Sequence, residues 1–367
     1  MNYAYLSGCC AKWIPSLRSC LLDEADPSLC GEGRGSGNLV KADPLGRTSV
    51  QVTALGFGAA PIGNLYGPID DRQARATLDA AWDVGVRYYD TAPHYGLGLS
   101  ERRLGDALAH RPRTEFTLST KVGRLLEPHP APTGSDLTAG GFAVPGALIR
   151  RPDYSRDGVL RSLEGSLKRL QLDHVDIVYV HDPDDHLDAA LGQALPALIA
   201  LRDQGVIGAV GVGANTVAPL LRVVAEAEVD AVMVAGRWTL LDRTARPLLD
   251  ACAERGVAVV AAAPFNSGLL SRPYPASDAT FDYGPASDSA LRRARLLAEA
   301  AGRHGTELPH AALRFPLRDA GVACVVAGFR TPEEVVSAAR WAATDLTEEA
   351  WRDLDTAAAQ AAGVPPS

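Results

Sequence analysis

Short apolar runs alternate with amphipathic stretches along most of the chain, beginning at about residue 48. The amphipathic stretches are about 10 to 16 residues long, a length typical of helices that connect parallel strands. We predict eight strands, over residues 55–58, 86–90, 116–121, 175–181, 207–212, 231–234, 258–262 and 324–327. The stretches between them predict helices, for example over residues 73–84, 158–170, 187–204 and 331–341.

Eight successive βα units favour an α/β protein whose strands close into a (β/α)8 TIM barrel. An open, doubly wound sheet is the structural alternative. Residues 47–53 are expected to form a small hairpin over the bottom of the barrel. Residues 346–361 predict one more helix, with Thr347 as its N-cap. We therefore expect one barrel domain over residues 45–363, preceded by a disordered extension over residues 1–44.

Two predicted connections are longer than a barrel requires. Residues 123–157 follow the third strand, residues 266–289 follow the seventh, and both are rich in proline, glycine and aromatic residues. Loops that follow barrel strands lie at the C-terminal mouth, where barrel enzymes bind their substrates. We expect these two segments to form the walls of a substrate pocket.

Composition narrows the classes of partner. Apolar residues make up 47% of the 367 residues, charged residues make up 22%, and the net charge is −8. An acidic protein of this kind is unsuited to binding nucleic acid or an anionic membrane surface. No apolar run approaches the ~20 residues that a membrane span needs. A small-molecule partner is the remaining expectation.

The six cysteines fall into two groups. Cys9, Cys10, Cys20 and Cys30 precede the regular pattern, and no Cys-x-x-Cys spacing indicates a metal site. Cys252 and Cys324 lie in apolar stretches and are predicted to be buried free thiols. Free thiols favour a reducing compartment, so we expect a cytoplasmic protein.

A carboxylate, an ammonium and an imidazole terminate three consecutive predicted strands. Residues 88–96 read YYDTAPHYG, so Asp90 ends the second strand and Tyr95 lies in the loop beyond it. Lys121 ends the third strand, and His181 ends the fourth. In a parallel barrel these strand ends converge at one mouth, so the four side chains are expected to meet.

Such a group is suited to proton transfer. A phenol has a pKa near 10, and a neighbouring ammonium favours its ionised form. Lys121 would therefore lower the pKa of Tyr95, with Asp90 keeping Lys121 charged and in place. His181 would orient a substrate oxygen. The arrangement suits interconversion of an alcohol and a carbonyl, with the hydride exchanged by a cofactor.

Each of these residues also has a simpler interpretation. Asp90 would cap a turn, Tyr95 would be a surface aromatic, and Lys121 would be a solvated charge. His181 begins an HDPDDH sequence, which suits either the acidic start of a helix or a metal cluster. The joint occurrence of all four on consecutive strands favours the catalytic interpretation.

These motifs resemble those of the aldo-keto reductase family. Residues 90–96 fit the pattern DTAxxYG, residues 119–121 read STK, and His181 ends the next strand, in the order of that family's Asp, Tyr, Lys and His. The similarity covers roughly residues 45–345. It implies a TIM barrel with a nicotinamide cofactor across the mouth. In agreement, no Gly-x-Gly-x-x-Gly follows a predicted strand.

Three further segments resemble one branch of the family. These are residues 235–241 (AGRWTLL), 266–270 (NSGLL) and 181–184 (HDPD). They resemble the branch that contains D-threo-aldose 1-dehydrogenase and L-fucose dehydrogenase, to which pyridoxal 4-dehydrogenase and L-galactose dehydrogenase are also similar. This resemblance implies oxidation of an aldose hemiacetal to a lactone, with Tyr95 as the general base. Oxidation of pyridoxal and general aldehyde reduction are the alternatives at the same site.

The resemblance places cofactor contacts at the ends of strands five to eight: Asn215, Arg237, Asn266, Ser267, Gly268, Leu270, Gly328, Arg330 and Glu334. The family often places Lys and Arg at the start of the helix after strand eight to bind the 2′-phosphate of NADP, where this chain has Gly328 and Glu334. Glu334 repels phosphate and can accept from a ribose hydroxyl, so NAD is preferred over NADP. Alternatively, Glu333 and Glu334 only complement the helix dipole.

The chain departs from the family pattern at three places. The usual Asn near the adenine is Ala338, and the Ser-Asn pair after strand five is reduced to Asn215. The aromatic residue that stacks on the nicotinamide is Ala262 or Ala263. Either Trp238 or Phe265 substitutes for it, or both residues are ordinary pocket or core packing. Candidate substrate-pocket residues are His94, Trp238, Phe265 and Asp282.

Two other classes of protein compete with this interpretation. A metal-dependent barrel hydrolase would use His181, Asp182, Asp185 and His186, but the first strand, LGFG, lacks the ligands such enzymes need. A non-catalytic cofactor-binding subunit on the same fold is the other alternative. We therefore expect no metal.

Overall fold

The computed structural model describes residues 42–361, in which eight parallel strands form a closed barrel. The barrel strands are β1 Leu55–Gly58, β2 Tyr88–Asp90, β3 Thr117–Val122, β4 Ile177–His181, β5 Ala209–Ala214, β6 Ala231–Ala235, β7 Ala258–Ala262 and β8 Val322–Gly328. Each strand pairs with the next along the chain, and β8 closes the ring by pairing with β1. The TIM barrel is confirmed, and the open doubly wound sheet is excluded.

Helices surround the barrel: α1 Asp71–Asp83, α2 Leu99–Leu108, α3 Arg156–Leu170, α4 Leu195–Asp203, α5 Val217–Glu226, α6 Arg246–Arg255, α7 Asp288–Arg303, α8 Leu308–Arg314, α9 Pro332–Ala343 and α10 Glu348–Ala361. Side-chain caps begin several of them, since Asp70 accepts from Gln73 N at 2.7 Å and Thr347 accepts from Ala350 N at 3.2 Å. The predicted helix over 187–204 is interrupted by a π-helical segment, Ala190–Ala194.

A hairpin closes the N-terminal end of the barrel. Ala42–Pro44 pairs antiparallel with Gln51–Thr53, so the hairpin begins upstream of the predicted 47–53. Leu45 and Val52 are buried against side chains of the barrel interior. Of the predicted extension over 1–44, residues 1–41 lie outside the described residues.

The connection after β3 forms a second hairpin beside the mouth, which the sequence pattern did not predict. Its strands are Arg124–Thr133 and Gly146–Pro152, and we call this element the lateral hairpin. The first strand contains Pro128, Pro130 and Pro132, a composition that argues against a strand except at a sheet edge. The connection after β7 carries a smaller hairpin, Thr280–Phe281 with Gly284–Pro285.

Two cysteines lie within the described part of the chain, and both are reduced. Cys252 and Cys324 are buried free cysteines, as predicted. No helix within residues 42–361 is both long and apolar enough to cross a membrane.

Candidate active site

Asp90 and Lys121 form a buried ion pair at the C-terminal ends of β2 and β3. Lys121 Nζ lies 2.5 Å from Asp90 Oδ2, and the two side chains are 2% and 3% exposed. The second carboxylate oxygen accepts from Ser119 Oγ at 2.7 Å. Both oxygens of the carboxylate are therefore bonded, as a buried charge requires. The partner expected for Asp90 is present.

The same ammonium reaches the phenol of Tyr95. Lys121 Nζ donates to Tyr95 Oη at 3.0 Å and to the Thr91 carbonyl at 3.1 Å. Together with Asp90, these acceptors use the three N–H bonds of the ammonium. Burial alone would lower the pKa of Lys121, but Asp90 and Tyr95 outweigh it and the pKa is raised. Lys121 is therefore charged at neutral pH.

The pKa of Tyr95 differs in direction from the sequence-based expectation. Burial raises the pKa of the phenol above its ordinary value, and this effect exceeds the lowering by Lys121. Asp90 raises it further, because the carboxylate offsets much of the field of the ammonium. Tyr95 is therefore a protonated phenol at neutral pH, with the ammonium positioned to stabilise its anion when the proton leaves.

His181 completes the group at the end of β4. Its ring lies edge-on to the ring of Tyr95, with centroids 5.9 Å apart. Burial, followed by the cations Arg124 and Lys121, lowers the pKa of His181 well below its ordinary value. A neutral imidazole can donate one hydrogen bond to a substrate oxygen without bringing a charge. The four residues that the sequence singled out thus lie together.

His94 and Phe142 form one wall beside these residues. The centroid of the His94 ring is 5.4 Å from that of Phe142 and 5.6 Å from that of His181. Burial, Arg150 and Arg124 lower the pKa of His94 to about 2, so this ring is also neutral. Phe142 belongs to the long connection after β3, which agrees with the expectation that this segment walls the pocket.

The sequence reasoning missed the cations of the lateral hairpin. Arg124 Nη2 donates to Asp182 Oδ2 at 2.7 Å, and Arg150 binds both oxygens of Asp136 at 2.7 Å. Arg150 also donates to the His94 carbonyl at 2.9 Å. Arg124 follows Lys121 by three residues. This position, just beyond a strand that ends at the mouth, is the sequence feature from which its location could have been predicted.

Tyr154 joins the end of the lateral hairpin to β4. Its hydroxyl shares its one O–H between the carbonyl of His181 at 2.7 Å and that of Asp182 at 2.9 Å. The backbone of Asp182 has a φ of +40°, a left-handed conformation that Asp tolerates better than most residues. Tyr154 therefore holds the strand end from which the His181 imidazole projects.

A second polar group lies beyond β5 and β6. Arg237 donates to the Asn215 carbonyl at 2.9 Å and contacts the carboxylates of Asp242 at 3.2 Å and Asp282 at 3.0 Å. Tyr283, in the small hairpin, donates to Asn215 Oδ1 at 3.2 Å, and its backbone N–H donates to Ser267 Oγ at 3.1 Å. The predicted residues Asn215, Arg237, Ser267 and Asp282 are thus brought together.

The end of β8 holds the third predicted group. Arg330 donates through its guanidinium to the carbonyls of Leu65, Gly67 and Pro68, at 2.8, 3.2 and 3.2 Å. Glu334 accepts from the backbone N–H of Arg330 at 2.7 Å. Gly328 is exposed at the strand end. Both charged side chains are therefore bonded within the protein.

Two of the candidate contact residues, Trp238 and Leu270, are packed in the core. Trp238 is 8% exposed, and its ring lies 5.4 Å from that of Phe315 and under Arg246. Leu270 is completely buried in the same apolar cluster. Apolar side chains that can pack beneath a strand end gain more by burial than by lining a wet pocket. Phe265 is half-buried against this core.

The side chains proposed for the metal-site alternative do not form a cluster. Among residues 42–361, no three His, Cys, Asp or Glu side chains are grouped as a metal site. The His186 ring stacks on Tyr154 at 5.2 Å between centroids. His181 faces Tyr95 and His94.

The hydrogen-bonding groups at the mouth match those that a nicotinamide dinucleotide needs. Asn266 is 2% exposed in the loop after β7, and its Oδ1 is buried with no hydrogen-bond partner within the described part of the chain. This free acceptor suits an amide or hydroxyl donor of a ligand. Ser267 and the exposed Gly268 follow it. After β8, helix α9 begins at Pro332, and the backbone N–H groups of a helix N-terminus favour phosphate.

Comparison with known proteins agrees with this geometry. The model of the Aldo/keto reductase family matches residues 54–359. The chain belongs to this family and is an oxidoreductase; such enzymes use a nicotinamide cofactor.

The chain is similar to D-threo-aldose 1-dehydrogenase from Pseudomonas sp, with 46% identity over 307 residues, 83% of this chain and 93% of that enzyme. It is also similar to pyridoxal 4-dehydrogenase from Microbacterium luteolum, with 37% identity over 329 residues, 84% of this chain and 95% of that enzyme. The solved holo form of aldo-keto reductase AKR11C1 from Bacillus halodurans aligns with a TM-score of 0.70 and 27% identity, covering 86% of this chain and 96% of that one.

Proposed function

We propose that this enzyme oxidises the hemiacetal of an aldose to a lactone, with NAD as the preferred cofactor. The observation that carries the proposal is the connected Asp90–Lys121–Tyr95 group beside a neutral His181. The similarity to D-threo-aldose 1-dehydrogenase supports the substrate class. L-Fucose and other sugars of that type are the candidate substrates.

The proposed chemistry assigns one task to each residue. His181 donates a hydrogen bond to the anomeric oxygen and orients it. Tyr95, as its anion, accepts the proton of the anomeric hydroxyl while the C1–H bond breaks and a carbonyl forms. Lys121 stabilises the phenolate at 3.0 Å, and Asp90 keeps Lys121 charged. The bound nicotinamide supplies the hydride acceptor.

The preference for NAD is argued from the end of β8. Segment 328–334 contains a single cation, Arg330, and its guanidinium is bonded to three backbone carbonyls. Glu334 adds a negative charge at the start of α9. A 2′-phosphate would therefore meet a carboxylate and an arginine that is already occupied.

The direct test measures turnover of a panel of substrates with NAD and with NADP. Turnover is monitored by the absorbance of the reduced nicotinamide. L-Fucose, pyridoxal and a simple aliphatic aldehyde are compared, and the sugar product is identified as a lactone. We expect turnover of the sugar with NAD. Pyridoxal as the only oxidised compound, or loss of turnover with a chelator, would contradict the proposal. A strong NADP preference would overturn the argument from Glu334.

Two variants test the assigned roles. We expect Tyr95→Phe to reduce kcat by about 10²- to 10⁴-fold, because the proton acceptor is lost. The affinity for the nucleotide, measured by fluorescence titration, is expected to be unchanged. Tyr274→Phe is the matched control, since Tyr274 is 55% exposed on the loop after β7. Equal activity of Tyr95→Phe and the control would remove Tyr95 from the mechanism.

A further inference from the structure

The carboxylate of Asp182 lies next to the imidazole that is assigned to the substrate oxygen. Asp182 Oδ2 is 3.6 Å from His181 Nε2 and accepts from Arg124 Nη2 at 2.7 Å. Its other oxygen is 3.4 Å from Asn215 Nδ2. The Asp182 side chain is 18% exposed and that of Arg124 is 24% exposed, so the pair is accessible to a small ligand.

Arg124 brings hydrogen-bond donors to the same place. Its Nη1 lies 3.4 Å from His94 Nδ1, and its Nη2 binds Asp182. A guanidinium has five N–H bonds, so donors remain after these contacts. A carboxylate acceptor and a guanidinium donor thus lie side by side at the mouth. A hydroxyl group, which both donates and accepts, matches such a pair.

A cavity of about 220 Å³ adjoins the pair. It is lined by Arg124, Arg150, Pro152, Tyr154, Asp182, Asp185 and His186. Most of these side chains are charged or carry hydrogen-bonding groups. Such walls suit a small polyhydroxylated ligand better than an aliphatic chain, because an apolar ligand would displace the water around these polar groups without replacing its hydrogen bonds.

We propose that Arg124 and Asp182 form a specificity subsite for the hydroxyl on the carbon next to the reacting carbon, which is the 2-hydroxyl of an aldose. The inference rests on the proposed function, since His181 Nε2 must hold the anomeric oxygen. Vicinal sugar oxygens lie about one hydrogen-bond length, ~3 Å, apart. An oxygen next to the one held by His181 can therefore reach Asp182 as a donor and Arg124 as an acceptor.

The subsite is tested by removing the hydroxyl from the sugar and its partner from the protein. Oxidation of L-fucose and of 2-deoxy-L-fucose is measured for the wild type and for Arg124→Met. A site built to bind a hydroxyl rejects the analogue that lacks it. For the wild type we therefore expect kcat/KM to be about 10- to 100-fold higher for L-fucose than for 2-deoxy-L-fucose. In Arg124→Met the ratio is expected to fall below about 3-fold.

The ratio of kcat/KM between the two sugars tests the subsite, whereas the rate with either sugar alone does not. Loss of Arg124 leaves the charge of Asp182 beside His181, an effect that slows both sugars alike. Asp182→Asn keeps one acceptor oxygen and the shape, so a smaller fall in the ratio is expected, and this variant carries the test if Arg124→Met does not fold. Arg151→Met is the matched control, because Arg151 lies in the same hairpin but pairs with Glu127 at the surface.

The outcomes separate the two proposals. L-Galactose, which differs from L-fucose by a hydroxyl remote from C2, is expected to keep the same ratio to L-fucose in every variant. An unchanged 2-deoxy ratio in both Arg124→Met and Asp182→Asn, or no wild-type discrimination, overturns the subsite while aldose oxidation stands. Failure of the wild type to oxidise either sugar with NAD or NADP overturns the proposed function and the subsite together.

Discussion

Lys121 is held by contacts on every N–H bond, and this determines how the site handles protons. The ammonium donates to Asp90, Thr91 and Tyr95 and is 2% exposed. An ammonium so bonded, with a raised pKa, serves as a fixed positive charge beside the phenol. Our proposal therefore assigns proton transfer with the substrate to Tyr95.

The pH dependence of turnover follows from the raised pKa of Tyr95. The phenol is protonated at neutral pH, whereas oxidation needs its anion, so the kcat of oxidation is expected to rise from about pH 7 to about pH 10. Reduction needs the protonated form and is expected to stay level over that range. Stopped-flow or steady-state profiles in both directions check this. An oxidation rate that is already constant near pH 7 would show that Tyr95 ionises far more easily than its burial indicates.

The loop that carries Tyr95 is set against the loop after β1. Gly96 has a φ of +62°, and a Cβ built there would lie 2.2 Å from the carbonyl oxygen of Gly63. This neighbour is backbone and cannot rotate away. The two loops are therefore fixed against each other at a distance that glycine allows, and this contact positions Tyr95.

Gly96→Ala is expected to destabilise the fold by roughly 2–4 kcal/mol and to lower kcat, because strain and steric overlap move the Tyr95 loop. Urea unfolding and turnover of the same sample measure both effects. Gly302→Ala is the control: Gly302 lies in α7, and its surroundings leave open space for an added methyl group, so a gain of about 0.5–1 kcal/mol is expected. Equal stability of the two variants would disprove the contact argument.

The predictable elements were those with local signals. The barrel strands show apolar runs with turn residues at their ends, and Thr347 caps α10 as its sequence indicates. The lateral hairpin was missed because its prolines argue against a strand. The pairing of Arg124 with Asp182 joins residues 58 positions apart, and no local pattern encodes it. The sign of the Tyr95 pKa shift depends on burial, which only packing determines.

The two ends of the barrel have different roles. The reactive residues lie at the C-terminal ends of β2, β3 and β4, whereas the hairpin of Ala42–Pro44 and Gln51–Thr53 closes the opposite end. Leu45 and Val52 of this hairpin segment are 0% and 1% exposed. Closure of the barrel and its chemistry thus depend on different residues.

A chain that begins at residue 42 is expected to match the full chain in thermal midpoint and kcat, because the hairpin and the barrel are then both complete. A chain that begins at residue 54 would lose Leu45 and Val52, each contributing about 1.5–3 kcal/mol by burial, and its thermal midpoint is expected to fall. Calorimetry and turnover of the three chains provide the comparison. A lower midpoint for the chain from residue 42 would assign residues 1–41 a structural role.

The lateral hairpin is a contiguous segment that enters after Val122 and leaves before α3. It contributes Arg124 and Phe142 to the mouth, while Asp90, Tyr95, Lys121 and His181 all lie outside it. Recombination that exchanged this single segment between related barrels would therefore replace one wall of the mouth in one genetic event, while Asp90, Tyr95, Lys121 and His181 stay in place.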